Sequence, residues 1–292
     1  MGASTLSRRR RGAHAAVTVR RRERWKWPVV AGMALISTSA LFPLYFLVSN
    51  ALRTNADYAG AKVGLPTTFS AGALERAWEG ASVPTYLRNS LIIVVGTVIL
   101  SVLVATFAAY SFSKLRWTAR GKAYLLVLVW IAVPPLILLV PLYVQMVELG
   151  LFDTYWSVIL IYTAVNLPFN TYLMTAYFRS LPDELAEAAR LEGASVHQIL
   201  SRVLLPLARP ALATLVIFNF LWVWNEFIFA LLLLPSDETK TLTVGVLQLQ
   251  GRFNLDPTAL MAGLLIATLP VVGVYLVFQR YLVRAVAAGI GR

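Results

Sequence analysis

The chain has 292 residues, 58% of them apolar and only 14% charged, with a formal net charge of +12 and no cysteine. So few charged residues cannot cover a soluble globular surface, which argues against an ordinary soluble enzyme. The missing cysteine excludes disulfides and thiolate chemistry, and the two histidines, His14 and His197, lie in unrelated segments, so we expect no cofactor and no metal site.

Six long apolar runs divide the chain. The fifth in chain order contains one charged residue, Glu226, and the other five contain none. The runs are 28–52, 89–113, 123–147, 154–178, 210–236 and 257–279. Each is long enough for the roughly 20 apolar residues with which a helix crosses the hydrocarbon core. The sequence therefore predicts an all-α polytopic membrane protein, with a six-helix transmembrane domain over 28–292.

The basic residues are unevenly distributed between the two sides that six spans would define. Segments 1–27, 114–122, 179–209 and 280–292 hold 20 Lys and Arg residues, whereas 53–88, 148–153 and 237–256 hold 6. An excess of Lys and Arg marks the cytoplasmic side, so both termini are predicted to be cytoplasmic. We expect the basic tail 1–27 to anchor near anionic lipid, with RNA binding as the alternative.

The first two predicted helices cover 28–51 and 90–112. Between them lies an external segment with Gly60, Gly64, Pro66 and Pro84 as breakers. Ser101, Ala105 and Ala109 are spaced four apart on the second helix, a pattern that lets another backbone approach closely.

Prolines and asparagines interrupt the third and fourth runs. The third contains Pro134, Pro135 and Pro141, and the fourth contains Pro168 between Asn166 and Asn170. Proline kinks a helix, and such breaks are tolerated at membrane depth where protein or a wet cavity satisfies the backbone. The pattern favours helices that line a pathway as much as it favours ordinary bundle packing.

Segment 179–209 predicts two short helices joined by a tight turn. Ser180 is expected to cap the first helix, Gly193 to end it with a positive φ, and Ser195 with Gln198 to form a capping box on the second. One apolar stripe should run along the second helix, formed by Val196, Ile199, Leu200, Val203 and Leu204. A helix pair between two spans can dock on a partner. A DNA-binding helix-turn-helix and a solvated loop are the alternatives.

A known signature occupies this same segment. Glu187-Ala188-Ala189, Gly193 and Leu205-Pro206 have the spacing of the EAA signature, EAA-x3-G-x9-I-x-L-P, with Val203 in the isoleucine position. The segment thus resembles binding-protein-dependent ABC importer permeases. The resemblance implies the type I importer permease fold and a cytoplasmic coupling helix that enters a cleft of a separate ATPase. It gives Glu187, Ala188, Ala189, Gly193, Leu205 and Pro206 the coupling role.

Further stretches are similar to the smaller permease of the maltose-type carbohydrate branch. They are Asn89-Ser90, 177–182, 224–227 and 279–281. This implies a prokaryotic plasma-membrane protein that pairs with a larger permease, two ATPase subunits that bind ATP and Mg, and an extracytoplasmic sugar-binding protein. The first 24 residues lie outside the resemblance, and 284–289 departs from the usual Arg-Gly-Leu ending. Glycerol phosphate is the alternative cargo.

The charged residue of the fifth run has two interpretations. Glu226, with Trp224 and Asn225, either lines the solute pathway or makes a polar contact between helices or subunits, and the second is favoured. The external segment 237–256 is expected to reach toward the docked binding protein.

The chain contains no Gly-x4-Gly-Lys-Ser/Thr cradle for ATP and no Ser/His/Asp grouping, so we expect a translocating subunit rather than an enzyme. An ion-coupled secondary carrier is the main alternative, and a receptor or assembly factor is a third.

Overall fold

The computed structural model describes residues 26–80, 82–252 and 256–290. Within these ranges every regular element is a helix. In chain order the helices are α1 (Lys26–Ala51), α2 (Asn55–Gly60), α3 (Gly72–Gly80), α4 (Val83–Lys114), α5 (Arg120–Val129), α6 (Leu139–Glu148), α7 (Tyr155–Ser180), α8 (Glu184–Leu191), α9 (Val196–Leu207), α10 (Arg209–Asn225), α11 (Ile228–Leu233), α12 (Leu242–Arg252) and α13 (Pro257–Ile290). The basic tail predicted over 1–27 lies outside the described residues up to position 25.

Four helices are long and apolar enough to cross a membrane: α1, α4, α7 and α13. The number rises to six if each of two bent pairs forms one span. In one pair Arg120–Ala132 meets Pro135–Glu148 at 92°, and in the other α9 meets α10 at 79°. The chain is a multi-pass membrane protein.

Helix α4 is longer than the sequence predicts. It begins at Val83, not Ser90, and contains 32 residues, which corresponds to about 48 Å. Pro84 opens this helix and does not break the chain, because a first-turn residue needs no backbone donor. Hydropathy detects only the part of a helix that meets lipid, whereas the first turns of α4 contact the polar external segments.

The centre of the molecule is the packing of α4 against α7. Ser101, Ala105 and Ala109 are fully buried on α4, which confirms the close approach that their spacing predicts. A Cβ added at Gly96 would lie 2.9 Å from Ile159 Cδ1 of α7. Small residues on α4 therefore set how closely the two helices pack.

The third apolar run is broken at its paired prolines. Two short 3-10 turns, Trp130–Ala132 and Pro135–Leu138, separate α5 from α6 and create the 92° bend. The predicted kink is thus confirmed at Pro134 and Pro135. By contrast, α7 continues through Pro168 without a break in helical assignment.

The segment after α1, which the sequence predicts to be external, is more ordered than its breakers predict, since it contains α2 and α3. The side chain of Arg53 is buried and donates hydrogen bonds to the carbonyls of Ala61 and Gly64. At the far side of the segment, Arg76 Nε lies 2.6 Å from Asp256 Oδ2 and links α3 to the start of α13. Long-range polar bonds of this kind leave no periodic pattern in a sequence.

Candidate coupling site

We call residues 184–207 the elbow. Its first helix, α8, begins at Glu184. Ser180 does not cap it, contrary to the sequence prediction. That residue ends α7, and its Oγ donates to the Tyr177 carbonyl, 2.7 Å away. Because α7 keeps its helical hydrogen bonds up to this point, the elbow starts only after the extended Leu181.

The turn between the two elbow helices forms as predicted. Gly193 has a φ of +85°, in the left-handed region that favours glycine. Its N–H donates to the Arg190 carbonyl at 3.0 Å, and the Ala194 N–H donates to the Ala189 carbonyl at 2.9 Å. These paired bonds satisfy carbonyls that would otherwise be left open at the end of α8.

The predicted capping box opens the second elbow helix. Gln198 N donates to Ser195 Oγ at 3.3 Å, while Ser195 N donates to Gln198 Oε1 at 2.8 Å. Both bonds fix the direction in which α9 leaves the turn.

The inner face of the elbow packs on the membrane helices. Ile199, Leu200 and Leu204 of the predicted stripe are buried, whereas Val196 remains 47% exposed and Val203 is half-buried. The three buried residues and Ala186 of α8 form one apolar cluster with Tyr110 of α4 and with Met174 and Phe178 of α7. The elbow is therefore continuous with the two central helices.

The second elbow helix contains a π-helical stretch, and a sharp bend separates it from α10. Residues Ile199–Leu204 are π-helical, a feature that the sequence analysis does not predict. Pro206 lies two residues beyond this stretch and cannot donate to the Arg202 carbonyl, so a wider turn accommodates it. Pro210 likewise cannot continue the hydrogen bonds of α9, and the chain turns by 79° between α9 and α10.

The outer face of the elbow has no cover in the isolated chain. Glu187 and Ala188 are exposed, as is Pro206, and Leu191 is 91% exposed. Ala189 and Leu205 are half-buried against the apolar cluster. The six residues of the EAA signature thus divide between the inner face, the turn and an exposed outer face.

A polar anchor that the sequence does not reveal joins α4 to Leu181 and Asp183, directly before the elbow. Lys114 Nζ donates to the Leu181 carbonyl at 2.7 Å and lies 2.5 Å from Asp183 Oδ1. The hydrogen bond from Lys114, and then its charge, hold the pKa of Asp183 below its ordinary value. The two partners are 69 residues apart, so no local pattern could reveal the pair.

The fifth apolar run is interrupted at Glu226, whose φ of −67° and ψ of 133° end α10. Its carboxylate accepts from the Phe229 and Ala230 N–H groups at 3.0 and 3.2 Å, which caps α11. The Tyr162 hydroxyl of α7 donates to the same carboxylate. The extended backbone of Glu226 thus ends α10, while its carboxylate caps α11 and contacts α7.

The neighbours of Glu226 have separate surroundings. Trp224 is buried, stacks on Phe220 with ring centroids 5.5 Å apart, and donates to the Ala267 carbonyl of α13 at 3.1 Å. Asn225 is exposed and donates to the Leu221 carbonyl at 2.7 Å. The three predicted residues therefore do not converge on one site within this chain.

A cavity of about 280 Å³ lies among the bent third run, α7 and α10. Its lining combines three amides, Asn166, Asn170 and Asn219, with aromatic side chains that include Trp130 and Trp222. Asn170 and Asn219 are buried and bond reciprocally, with Nδ2–Oδ1 distances of 2.9 and 3.1 Å. Amides and aromatic rings can hydrogen-bond and stack on a polar solute. The contribution of Asn219 is not predicted from the sequence.

A polar clamp holds the segment that follows α11, which the sequence predicts to be external. Asn89 Nδ2 donates to the Glu238 and Lys240 carbonyls at 2.8 and 2.9 Å, and its Oδ1 accepts from Tyr155 at 2.6 Å. The adjacent Ser90 Oγ accepts from Leu242 N, 2.8 Å away. These bonds place the start of α12 on the outer end of α4.

The carboxylate of Asp153 completes the clamp. Asp153 accepts from the hydroxyls of Ser236 and Thr239, each 2.6 Å away. Burial raises the pKa of Asp153, but the hydrogen bonds from Ser236 and Thr239 lower it more, so the net pKa is below the ordinary value.

Central helices with a bent third run and an elbow before α10 define the permease fold of type I ABC importers. The same fold occurs in the bacterial ABC transporter involved in the import of the acidic polysaccharide alginate. That structure matches 96% of this chain and 99% of its own, with a TM-score of 0.77 and 25% sequence identity.

Residues 101–288 match the family described as "Binding-protein-dependent transport system inner membrane component", and the chain belongs to this family of ABC permeases. The melibiose/raffinose/stachyose import permease MelC of Bacillus subtilis is 31% identical, over 88% of this chain and 93% of its own length. The diacetylchitobiose uptake permease NgcG of Streptomyces coelicolor is also 31% identical, over 88% of this chain and 86% of its own. An ion-coupled secondary carrier finds no support in these relationships.

Proposed function

We propose that the chain is one permease subunit of an ATP-driven carbohydrate importer in a prokaryotic plasma membrane. Its partners are a second, larger permease, two ATPase subunits and an extracytoplasmic sugar-binding protein. ATP and Mg belong to the ATPase subunits, and this chain itself holds no cofactor. The observation that carries the proposal is the elbow, which is fastened to the central helices on one face and uncovered on the other.

The elbow supports a coupling role through its two faces. Its inner residues share one apolar cluster with α4 and α7, so a displacement of the elbow is transmitted to those helices. Its outer face presents Glu187 and Leu191, a charged residue and an apolar residue, to a partner surface. We assign coupling to Glu187, Ala188, Ala189, Gly193, Leu205 and Pro206, within the loop 179–209.

Six spans follow if the pieces on either side of the 92° bend form one span and α10 forms another. With 17 residues, α10 is about 25 Å long, close to the thickness of the hydrocarbon core. Both termini and the elbow then lie on the cytoplasmic side, in agreement with the distribution of Lys and Arg. The basic segment 1–27 precedes the six-span domain 28–292 as a cytoplasmic tail.

Sugars are the expected cargo. Both named relatives are oligosaccharide permeases, and the mixture of amides and aromatic rings around the membrane cavity suits a hydroxylated ring. Trp224, Asn225 and Glu226 are assigned to contacts that hold α10, α11 and their neighbours in register, beside the pathway.

Reconstitution tests the proposal. The chain is purified with its associated ATPase and larger permease, inserted into vesicles and supplied with the neighbouring binding protein and a labelled sugar. Uptake should require ATP on the ATPase side and should persist when a protonophore collapses the proton gradient. Uptake by the chain alone, or uptake abolished by the protonophore with ATP present, contradicts the proposal.

A further inference from the structure

A second cavity, of about 510 Å³, lies between the elbow and the short connection that follows α4. We call it the basic cavity. Lys114, Arg116 and Arg120 line it from the connection, and Asp183, Glu187 and Arg190 line it from the elbow side. Because α4 ends at Lys114 and α5 begins at Arg120, residues 115–119 alone join two apolar helices.

The basic cavity has more positive charge than its own acids neutralise. Lys114 is paired with Asp183. Among the described residues no acid lies within ion-pair distance of Arg116, Arg120 or Arg190. After the hydrogen bond and the charge of Lys114, the charges of Arg116 and Arg190 also lower the pKa of Asp183, which agrees with the excess of basic residues in this lining.

The position of the connection places the basic cavity at the level of the lipid headgroups. Both flanking helices are apolar, and only five residues, 115–119, join them. Trp117 is 40% exposed beside Phe112, with ring centroids 6.0 Å apart. An amphipathic indole ring in this position is typical of the membrane–water interface. An anion that reaches the three arginines can therefore arrive laterally, from the bilayer surface.

The volume and the donors fit a phosphodiester. A cavity of about 510 Å³ falls within the range of roughly 300–1,000 Å³ in which proteins bind small molecules. Guanidinium groups match phosphate oxygens in geometry as well as charge. A free phosphate offers the same chemistry, but the interfacial depth favours an anchored one.

We propose that the basic cavity binds the headgroup of an anionic phospholipid through Arg116, Arg120 and Arg190. The bound phosphate joins the α4–α5 connection to α8 and holds the elbow against the membrane helices. The binding of lipid to the basic cavity does not depend on the proposed function. Its consequence, a coupling of ATP turnover to uptake that depends on anionic lipid, rests on the proposed function.

The binding experiment uses the complete transporter in vesicles of phosphatidylcholine with an increasing fraction of phosphatidylglycerol. Lipid retained after gentle detergent extraction is identified by native mass spectrometry. Arg116→Gln with Arg190→Gln is compared with Lys122→Gln with Arg202→Gln. The control pair removes the same charge from the same two segments, but both of its residues are exposed and lie outside the basic cavity.

Each charge-assisted hydrogen bond to a bound phosphate contributes on the order of tenfold in affinity, so the test pair should retain phosphatidylglycerol on the order of a hundredfold more weakly than the wild type. The control pair should retain it at the wild-type level. Equal retention by all three proteins, or equal loss in both pairs, overturns the proposal.

Two further arms separate the sources of the anion. Inorganic phosphate added during extraction should leave the retained lipid in place. Displacement of the lipid by phosphate at similar concentration would identify the cavity as a free-phosphate site. Retention by the isolated permease that vanishes when the ATPase is bound would identify it as a partner-facing surface. Either result overturns the lipid assignment, whether or not ATP-driven uptake is observed.

The functional arm measures sugar transported per ATP hydrolysed as the phosphatidylglycerol fraction rises. The wild type and the control pair should improve, while the test pair should stay flat. A matching rise in the test pair would contradict the lipid-dependent coupling. The lipid-retention measurement would still decide by itself whether the basic cavity binds lipid.

Discussion

Both ends of α4 pack in apolar clusters, but they differ in the polar contacts that accompany this packing. At the elbow end, apolar side chains from α8 and α9 merge with the central helices, and one polar anchor accompanies them. At the other end, Leu242, Val244 and Val246 of α12 also pack in an apolar cluster with the start of α4, but Asn89 and Asp153 add several hydrogen bonds to the backbone and hydroxyls of the segment that follows α11. Apolar packing suits a part that must move with the helices as a unit, whereas hydrogen bonds fix a segment in one register.

The largest effect is expected at the turn of the elbow. Gly193→Val forces a β-branched residue to a φ of +85°, a conformation that costs an L-residue about 1–2 kcal/mol or more. No side chain crowds the position, so the strain is in the backbone and shifts α8 relative to α9. We expect ATP turnover without sugar uptake in the reconstituted transporter, with normal membrane insertion.

The control for this prediction is Gly121→Val. Gly121 also has open space around it but lies outside the left-handed region, so coupling should survive. Normal binding-protein-stimulated uptake by Gly193→Val would show that the turn does not have to keep this geometry for coupling.

The second effect is expected at the external clamp. Asn89→Ala removes three hydrogen bonds. The Lys240 carbonyl loses its Asn89 donor, at about 1–3 kcal/mol for a buried group left unsatisfied, while the Glu238 carbonyl keeps only a contact of 3.4 Å with the Tyr155 hydroxyl. The external segment should loosen while the elbow stays in place. Stimulation of ATP hydrolysis by the binding protein should fall about tenfold, with basal hydrolysis unchanged.

Ser101→Ala provides a matched control on the same helix, because the Ser101 hydroxyl is buried but makes no hydrogen bond. It should behave as the wild type. A parallel fall of basal and stimulated hydrolysis in Asn89→Ala would indicate general destabilisation, and it would contradict a clamp that acts only on the external segment.

The same contrast explains which parts of the molecule the sequence could predict. The elbow is encoded locally: Gly193, Ser195 and the apolar stripe lie within a few residues of the groups they serve, so the turn, the capping box and most of the buried face are confirmed. The clamp joins residues about 150 positions apart, and hydrogen bonds to a loop backbone have no periodicity. Polar residues at the ends of apolar runs are the only local signal.

The errors in helix boundaries have related causes. Ser180 looks like a cap because its side chain can serve either helix, but the hydrogen bonds of α7 extend to it first. The uncharged stretch around Glu226 appears as one continuous run, yet the carboxylate itself starts a new helix. In both places competition between neighbouring helices decides the outcome, and hydropathy carries no information about it.

A smaller effect tests whether the polar contacts of Lys114 stabilise the position of the elbow less than its apolar packing does. Lys114→Met loses the bonds to the Leu181 carbonyl and Asp183, whereas Asp183→Asn loses only an ion pair whose acid is 77% exposed. We expect amide exchange in the elbow to accelerate for Lys114→Met by an amount equivalent to about 1–3 kcal/mol. For Asp183→Asn the change should stay within about 1 kcal/mol.

Lys122→Met is the control for this pair, since Lys122 is exposed on the same segment. Its elbow should exchange at the wild-type rate. Global exchange in Lys114→Met, with α4 and α7 as affected as the elbow, would show that the anchor supports the whole helix pair and that the apolar cluster alone does not hold the elbow.

The smallest effect concerns pH and the other external link, between Arg76 and Asp256. Burial raises the pKa of Asp256, but hydrogen bonds from Arg76, Ala259 N–H and Thr258, together with the charge of Arg76, bring it from 3.8 to about 2. A carboxyl with a lowered folded-state pKa contributes its full stability above its ordinary pKa and loses it as the pH falls toward the folded value. The link should therefore be intact at neutral pH and weaken only between 3.8 and about 2.

A spin label at position 79 of α3 reports this transition, because the helix is tied to α13 through Arg76. Label mobility should stay constant from neutral pH down to about 4 and rise below it, while Asp256→Asn should show the raised mobility already at neutral pH and no further rise on acidification. A rise centred above pH 4 in the wild type would mean that Asp256 lacks this stabilisation. The attachment of α3 to α13 would then rest on the apolar contacts of Ala73 and Ala77 with Ala262, which would weaken the contrast with the elbow.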